Sequence, residues 1–336
     1  MTATITPRAG AAHARILGVG GYRPARIVPN SELVDRIDSS DEWIQSRSGI
    51  RTRRWASPEE TVAEMSIAAA GKALAHAGLD ASQVGCVIVS TVTHLKQTPA
   101  IATEIAHRLG AGGGRAAAFD VSAACAGFCY GVSLASDMVR GGSAEYVLVI
   151  GVERLSDLTN LSDRGTAFIF GDGAGAVVIG PSTTPGIGPV VWGSDGSQAE
   201  AITQTVDWND LRDDREQEFP TLKMEGQKVF RWAVWEMAKV CEQALDAAGV
   251  KAEDLDAFIP HQANMRITDA MIKALKLPPE VPVARDIAEN GNTSAASIPL
   301  AMERMLESGE AVSGGTALIM GFGAGLVYAG QVITLP

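Results

Sequence analysis

Aromatic residues make up only 5% of this 336-residue chain, cysteine occurs four times, and Lys plus Arg (28) are outnumbered by Asp plus Glu (39). A formal charge of −11 without a long basic block argues against nucleic acid, so any anionic partner must be held by a local cluster. Four cysteines without a C-x-x-C pair, and no cationic signal peptide, point to a reduced, cytoplasmic protein. The apolar runs are short and interrupted by glycine, below the roughly 20 residues of a membrane span. Metal-ligand spacing is missing from the Cys, His and acidic residues, and the glycine runs lack the strand, G-x-G-x-x-G and helix context of a dinucleotide site. Neither a metal nor a redox cofactor is therefore expected. What the chain does have is 46% hydrophobic residues, ample for a large core, and a length that fits either two domains or one duplicated core.

Internal echoes favour duplication. Val121-Ser122-Ala123-Ala124-Cys125-Ala126-Gly127-Phe128 is followed about 170 residues later by Thr293-Ser294-Ala295-Ala296-Ser297-Ile298, which sets serine opposite cysteine. Ala73 to Leu79 is echoed by Ala244 to Val250, each ending a helix at a glycine suited to a left-handed cap and each followed by a strand, Val84 to Val89 or Leu255 to Ile259. A third echo matches Gly171 to Gly180 with Gly321 to Gly330 as glycine-rich hairpins. Two such halves, residues 1–183 and 184–336 with a break near Pro181 to Gly188, predict an α/β layered fold with pseudo-twofold symmetry and sheets sandwiched by helices. The charged segment Asp207 to Pro220, carrying Trp208 and Phe219, reads as a surface insertion, either a lid or a solvated loop.

Cys125 follows a buried strand, Ala118 to Val121, and lies at or just inside the first turn of a helix from Phe128 to Val139. Unpaired N–H groups and the positive end of the helix dipole there would favour a thiolate and lower the thiol pKa, although a small packed cysteine is the plain alternative. His261 ends the strand from Leu255, where layered α/β folds place ligand-facing groups, and Asn292 immediately precedes the second Ser-Ala-Ala segment. Taken singly, a structural histidine and an ordinary cap or turn asparagine are equally compatible with these positions. A cysteine with a histidine and an asparagine suits papain-like hydrolysis or carbon–carbon condensation on a thioester. The duplicated layers do not suit the first.

The chain resembles the β-ketoacyl-acyl-carrier-protein synthase III family of thiolase-like condensing enzymes from about Arg15 to its C-terminus. Five elements in order carry the likeness: Asp41-Glu42-Trp43-Ile44 with Arg47-Ser48-Gly49-Ile50-Arg51, Ser122-Ala123-Ala124-Cys125-Ala126-Gly127-Phe128, Asp163-Arg164-Gly165-Thr166, His261-Gln262-Ala263-Asn264, and Gly291-Asn292-Thr293-Ser294. The resemblance implies that Cys125 takes an acyl group from acyl-CoA. It implies that His261 and Asn292 serve malonyl decarboxylation and condensation, and that the N–H groups of Cys125 and Ala324 form the oxyanion hole. Ala324 stands where some relatives have glycine, which is tolerable if its φ is negative.

By the same resemblance, CoA meets Trp43 and Arg164 at its adenine and Arg47 at its phosphates, while Gly226, Phe230, Asn264 and Arg266 line the pantetheine tunnel. Leu155, Phe170 and Phe322 are expected at the acyl pocket. Thr98, in the loop Thr93 to Pro99, is expected to cap the pocket of the other subunit of a homodimer. Arg231, Arg266 and Lys273 would receive an acidic carrier protein, with a solvated face as the alternative for Arg231 and Lys273. The expected function is the initiating condensation of type II fatty-acid synthesis, with acyl-CoA and malonyl-acyl-carrier-protein as partners. Three rivals are a polyketide starter-unit ketosynthase, an acyltransferase that does not decarboxylate, and a non-catalytic subunit of a condensing heterodimer. The last two are disfavoured by His261, Asn292 and Cys125.

Overall fold

The computed structural model describes residues 5, 6, 8–214 and 216–336. Strand β1 (His13–Tyr22) precedes a ribbon of β2 (Arg26–Pro29) and β3 (Thr52–Trp55), which encloses helix α1 (Asp41–Ser48) in sequence. Helix α2 (Val62–Ala77), strand β4 (Val84–Ser90), helix α3 (Ile101–Leu109), strand β5 (Ala117–Val121), helix α4 (Gly127–Arg140), and strands β6 (Tyr146–Arg154) and β7 (Asp172–Ser182) follow. After β8 (Val191–Ser194) come β9 (Ile202–Gln204), the short helix α5 (Trp208–Asp213), β10 (Leu222–Met224), and the long helix α6 (Gly226–Ala248). The chain then runs through β11 (Ala257–Pro260), α7 (Met265–Leu275), α8 (Ile287–Asn290), α9 (Ser297–Ser308), β12 (Thr316–Gly323) and β13 (Val327–Thr334).

Local sequence explains where the main helices stop and start. Thr61 caps α2 by accepting from the Glu64 N–H at 3.2 Å, and Gly78 and Gly249 end α2 and α6 in the left-handed conformation. One sheet has the order β1-β7-β6-β4-β5 and the other β8-β13-β12-β11, so the second repeats the first without its last strand. Strands β4 and β6 are apolar on both faces. Ile88 and Val149 face a central core with Phe128 and Val132 of α4, Ile298 and Met302 of α9, and Ile259 and Ile319 of the other sheet. Val87 and Leu148 face α2 and α3 on the outside, while α6 and α7 cover the outer face of the second sheet. The result is the expected α-β-α-β-α layering, with α4 and α9 in the middle.

Three sequence expectations need correction. Strand β5 is an edge strand, half-exposed rather than buried, because β4 is its only partner among the described residues. The two Ser-Ala-Ala segments do not superpose as written. Ala124 (φ +44°) and Ser294 (φ +47°) occupy matching left-handed positions, each opening a 3-10 turn that leads into α4 or α9. A Cβ on Gly321 would fall 3.1 Å from the Cys125 carbonyl, and one on Gly151 would fall 2.1 Å from the Ala295 carbonyl. Cys125 therefore corresponds to Ala295, and Ser297 to Gly127, a shift of two residues that the alanine-rich sequence hides. The third echo joins unlike elements: Gly171 to Gly180 is essentially one strand, whereas Gly321 to Gly330 turns the corner between β12 and β13. In the first half the corresponding connection is long, from Leu155 to Gly171, and it carries candidate site residues.

Candidate active site

Both halves open onto a cleft of about 1270 Å³ whose walls include Cys125, His261, Asn292, Phe322, Gly323 and Ala324. Cys125 lies in the 3-10 turn Ala124–Ala126, just before α4 rather than within its first turn. Gly323 is packed against it, since a Cβ there would stand 2.9 Å from the sulfur and 3.1 Å from the Cys125 nitrogen. This close approach brings the backbone of Gly323 and Ala324 alongside the thiol. Ala324 is not one of the described non-glycine residues with positive φ (Asp38, Ala124, Lys276 and Ser294), so its methyl is accommodated.

The sulfur keeps an opening to the cleft, but protein packs closely around it. Burial pushes the Cys125 thiol up to about 12, a Ser294 hydrogen bond opposes the shift, and the nearby Glu153 carboxyl reinforces it. The lowering expected from the helix terminus is thus outweighed, because desolvation acts on the sulfur itself while the free amides of α4 begin two residues later. Cys86 and Cys129 are likewise raised by burial, to about 11 and about 12. Access, rather than resting acidity, distinguishes Cys125: it alone of the four cysteines is not fully buried.

His261 follows β11 and is buried, its Nδ1 lying 2.7 Å from Ser297 Oγ. Ser297 Oγ also accepts from the Gln262 N–H at 3.3 Å, and its own hydrogen is available to Nδ1, an arrangement compatible with a ring hydrogen on Nε2. Burial lowers the His261 pKa to about 3, so the ring is a neutral donor at neutral pH. Asn292 is held from the opposite half: its N–H donates to the Ile169 carbonyl at 2.9 Å, and its carbonyl accepts from the Gly171 N–H at 3.0 Å. Gly291 (φ +66°) makes this approach possible, since a Cβ there would meet the Ile169 oxygen at 2.9 Å. The Asn292 side-chain oxygen accepts from the Ser294 N–H at 2.8 Å, leaving its NH2 group to donate. Phe322 packs edge-on against His261 with ring centroids 5.3 Å apart.

Two neighbours escape sequence reasoning. Glu153, at the end of β6, is fully buried and accepts from Val92 N–H, Thr91 Oγ1 and Thr93 Oγ1 at one oxygen and from Ser294 Oγ at the other. Desolvation pushes its carboxyl up to about 7, against the pull of these hydrogen bonds. No motif in the sequence marks Glu153, and Ser294 stands out there only as part of an echo. Only the packing reveals their connection.

Farther out, Ser40 caps α1 and Gly49 (φ +81°) stops it, so Trp43 and Arg47 are presented from a defined helix. Asp163 fixes the turn bearing Arg164 by accepting from the Gly165 N–H at 2.8 Å and from the Thr166 hydroxyl at 2.5 Å. The Arg164 guanidinium lies 5.0 Å from the Trp43 ring centroid and that of Arg47 lies 6.0 Å away. Asn264 caps α7 and donates to the Arg47 carbonyl at 3.0 Å, while Arg266 covers the Phe230 ring at 4.9 Å. Trp43, Arg47, Gly226, Phe230, Arg231, Asn264, Arg266, Leu155 and Phe170 all line the cleft, as does Trp208 of the charged insertion. Arg215 of that insertion lies outside the described residues. Lys273 does not line the cleft; it faces a shallow groove with Val234 and Trp235 between α6 and α7. Thr98 is exposed and does not line the cleft of its own chain, although His94 to Gln97 and Ala100 do.

Family models described as 3-oxoacyl-[acyl-carrier-protein] synthase III match residues 119–196, and as its C-terminal part residues 245–335. A β-ketoacyl-[acyl-carrier-protein] synthase III of Streptomyces glaucescens is 69% identical over 99% of both chains. The chain belongs to the β-ketoacyl-[acyl-carrier-protein] synthase III family. A mycobacterial synthase III, from Mycobacterium avium, is 53% identical over 99% of this chain and 98% of its own. Among solved structures, the priming β-ketosynthase of the R1128 polyketide pathway superposes with a TM-score of 0.96 at 48% identity, covering 98% of each chain. The synthase III of Aquifex aeolicus gives 0.87 at 37% identity, covering 96% of this chain and 99% of the other. These synthase III relatives share the thiolase-like layered fold and the condensing acyltransferase class.

Proposed function

We propose that this synthase III initiates type II fatty-acid synthesis by joining an acyl group from acyl-CoA to malonyl-acyl-carrier-protein. The observation that carries the reading is the meeting of an accessible thiol with the neutral His261 ring and the oriented amide of Asn292 at one cleft. Cys125 attacks the thioester and CoA leaves as the thiol. Malonyl-carrier protein then enters and loses CO2, the developing enolate oxygen being held by His261 and Asn292. The carbanion attacks the acyl-cysteine to give 3-ketoacyl-carrier protein and free Cys125. The N–H groups of Cys125 and Ala324 serve as the oxyanion hole. The neutral state of the buried His261 ring supports a donor role rather than a base role.

For the substrates, Trp43 and Arg164 form the adenine clamp and would separate to admit a planar base. Arg47 receives phosphate, Gly226, Phe230, Asn264 and Arg266 line the pantetheine path, and Arg231, Arg266 and Lys273 receive the carrier protein. Leu155, Phe170 and Phe322 shape the acyl pocket, with Thr98 closing that of a second copy in a cytoplasmic homodimer. CoA enters as a substrate, and the cycle needs no resident cofactor. The close likeness to a polyketide priming ketosynthase favours a second reading, in which the same chemistry loads a polyketide starter unit. Purified protein supplied with a series of acyl-CoAs and malonyl-carrier protein, followed by intact mass and CO2 release, tests the reaction. Acylation without CO2 release would replace condensation with simple acyl transfer.

A further inference from the structure

The cycle above leaves one step without an agent: something must take the proton of a thiol that burial has made reluctant to ionise. His261 is poorly placed to do so, because its Nδ1 is engaged by Ser297 and burial disfavours a second proton on its ring. Behind Cys125, however, the Ser294 hydroxyl faces the same cleft beside the thiol, opposes the upward shift of its pKa, and donates to Glu153 Oε1 at 3.0 Å.

The neighbours of Glu153 define its state. Thr93 Oγ1 accepts from the Arg154 N–H at 2.8 Å and Thr91 Oγ1 from the Thr93 N–H at 3.1 Å, so their own hydroxyl hydrogens are free for the carboxyl. Glu153 Oε2 receives the Thr93 hydroxyl at 2.9 Å, the Val92 N–H at 3.1 Å and the Thr91 hydroxyl at 3.2 Å. Such a set of converging donors suits an ionised carboxylate, which can only accept.

We propose that Ser294 and Glu153 form a proton relay that activates Cys125 for attack on acyl-CoA, an inference that rests on Cys125 being the nucleophile. The S–H bond of Cys125 breaks as its proton passes to Ser294 Oγ and the Ser294 hydroxyl proton passes to Glu153 Oε1. The sulfur electron pair forms the new bond to the acyl carbon, and the bond from that carbon to the CoA sulfur breaks. The proton then returns from Glu153 through Ser294 to the departing CoA thiolate. The buried negative charge is never doubled; it moves from the carboxylate to the sulfur and on to the departing CoA sulfur as the acyl bond forms. Loss of the thiol proton to bulk water would instead leave two adjacent buried anions.

The test is single-turnover acyl transfer from acetyl-CoA, read by rapid quench and intact mass, beside decarboxylation of malonyl-carrier protein by fully acylated protein. Decarboxylation requires no thiol ionisation and is unaffected by the relay. E153Q and S294A should each slow acylation by about 100-fold while changing decarboxylation by no more than about threefold. S294A keeps the N–H that orients Asn292, and Ala124 shows that alanine holds the same backbone conformation, so this variant decides the matter if E153Q fails to fold. Acylation at the parental rate in S294A, or an equal fall in both half-reactions, overturns the relay. Acyl mass persisting in C125A overturns instead the assignment of the nucleophile.

Discussion

The turn at Ala124-Cys125 and the turn at Ser294-Ala295 share a left-handed residue, a 3-10 turn and a following central helix, yet one presents a thiol to the cleft and the other a hydroxyl to a buried acid. Duplication supplied one backbone geometry twice. Divergence then gave each copy a different task, so the site is asymmetric although its frame is not.

Moving the thiol across the pseudo-twofold tests this division most severely. C125A should abolish acylation by acyl-CoA, and A295C, at the matching position, should not restore it in that background, because Ala295 is buried and lies away from the cleft mouth. Intact mass after incubation with acetyl-CoA reads both; an acyl group on Cys86, Cys129 or Cys241 would show that access does not select the nucleophile. Next in size, H261A and N292A should reduce malonyl decarboxylation by about 100- to 1000-fold while acylation survives at least partly, since each removes one donor to the enolate oxygen. A parental rate of CO2 release from either variant would separate that residue from the enolate.

A third effect is on stability. The folded pKa of His261, about 3, lies below the 6.5 of the unfolded chain, so the folded state binds fewer protons between those values. Its contribution is complete above pH 6.5 and declines on acidification by about 1.4 kcal/mol per unit, roughly tenfold in the folding equilibrium. Urea unfolding from pH 7.5 to 5 should show this slope in the parent and a shallower one in H261A. The smallest expected effect concerns the acyl pocket. Isobutyryl- or isovaleryl-CoA should prime at least as well as acetyl-CoA, and T98F should shift kcat/KM towards acetyl by about three- to tenfold. Mass measurement of the native oligomer accompanies this assay, and a monomer or an unchanged acyl profile would detach Thr98 from a neighbour's pocket.

Sequence made Cys125, His261 and Asn292 visible because each terminates a recognisable element within a distinctive local motif. The layered fold was visible because helix caps and apolar strands recur at a constant spacing. The register of the duplication was not, since Ser-Ala-Ala against Ala-Cys-Ala offers no bulky side chain to choose between offsets two residues apart. The glycine pattern of β7 and of the corner between β12 and β13 misled for a similar reason: close packing and chain reversal both require glycine. Glu153 was invisible because a carboxylate inside a core is made acceptable by donors from Val92, Thr91, Thr93 and Ser294, which only tertiary structure assembles.

The clamp on Asn292 has an evolutionary implication. Its peptide is gripped on both sides by Ile169 and Gly171, residues of the other half, through contacts that tolerate no side chain at Gly171 or Gly291. A single ancestral repeat could have carried the fold's outline, but this clamp, with its donor, arises only when two copies are joined face to face. A side chain at either glycine would therefore disturb both halves at once, because each lies where the two meet.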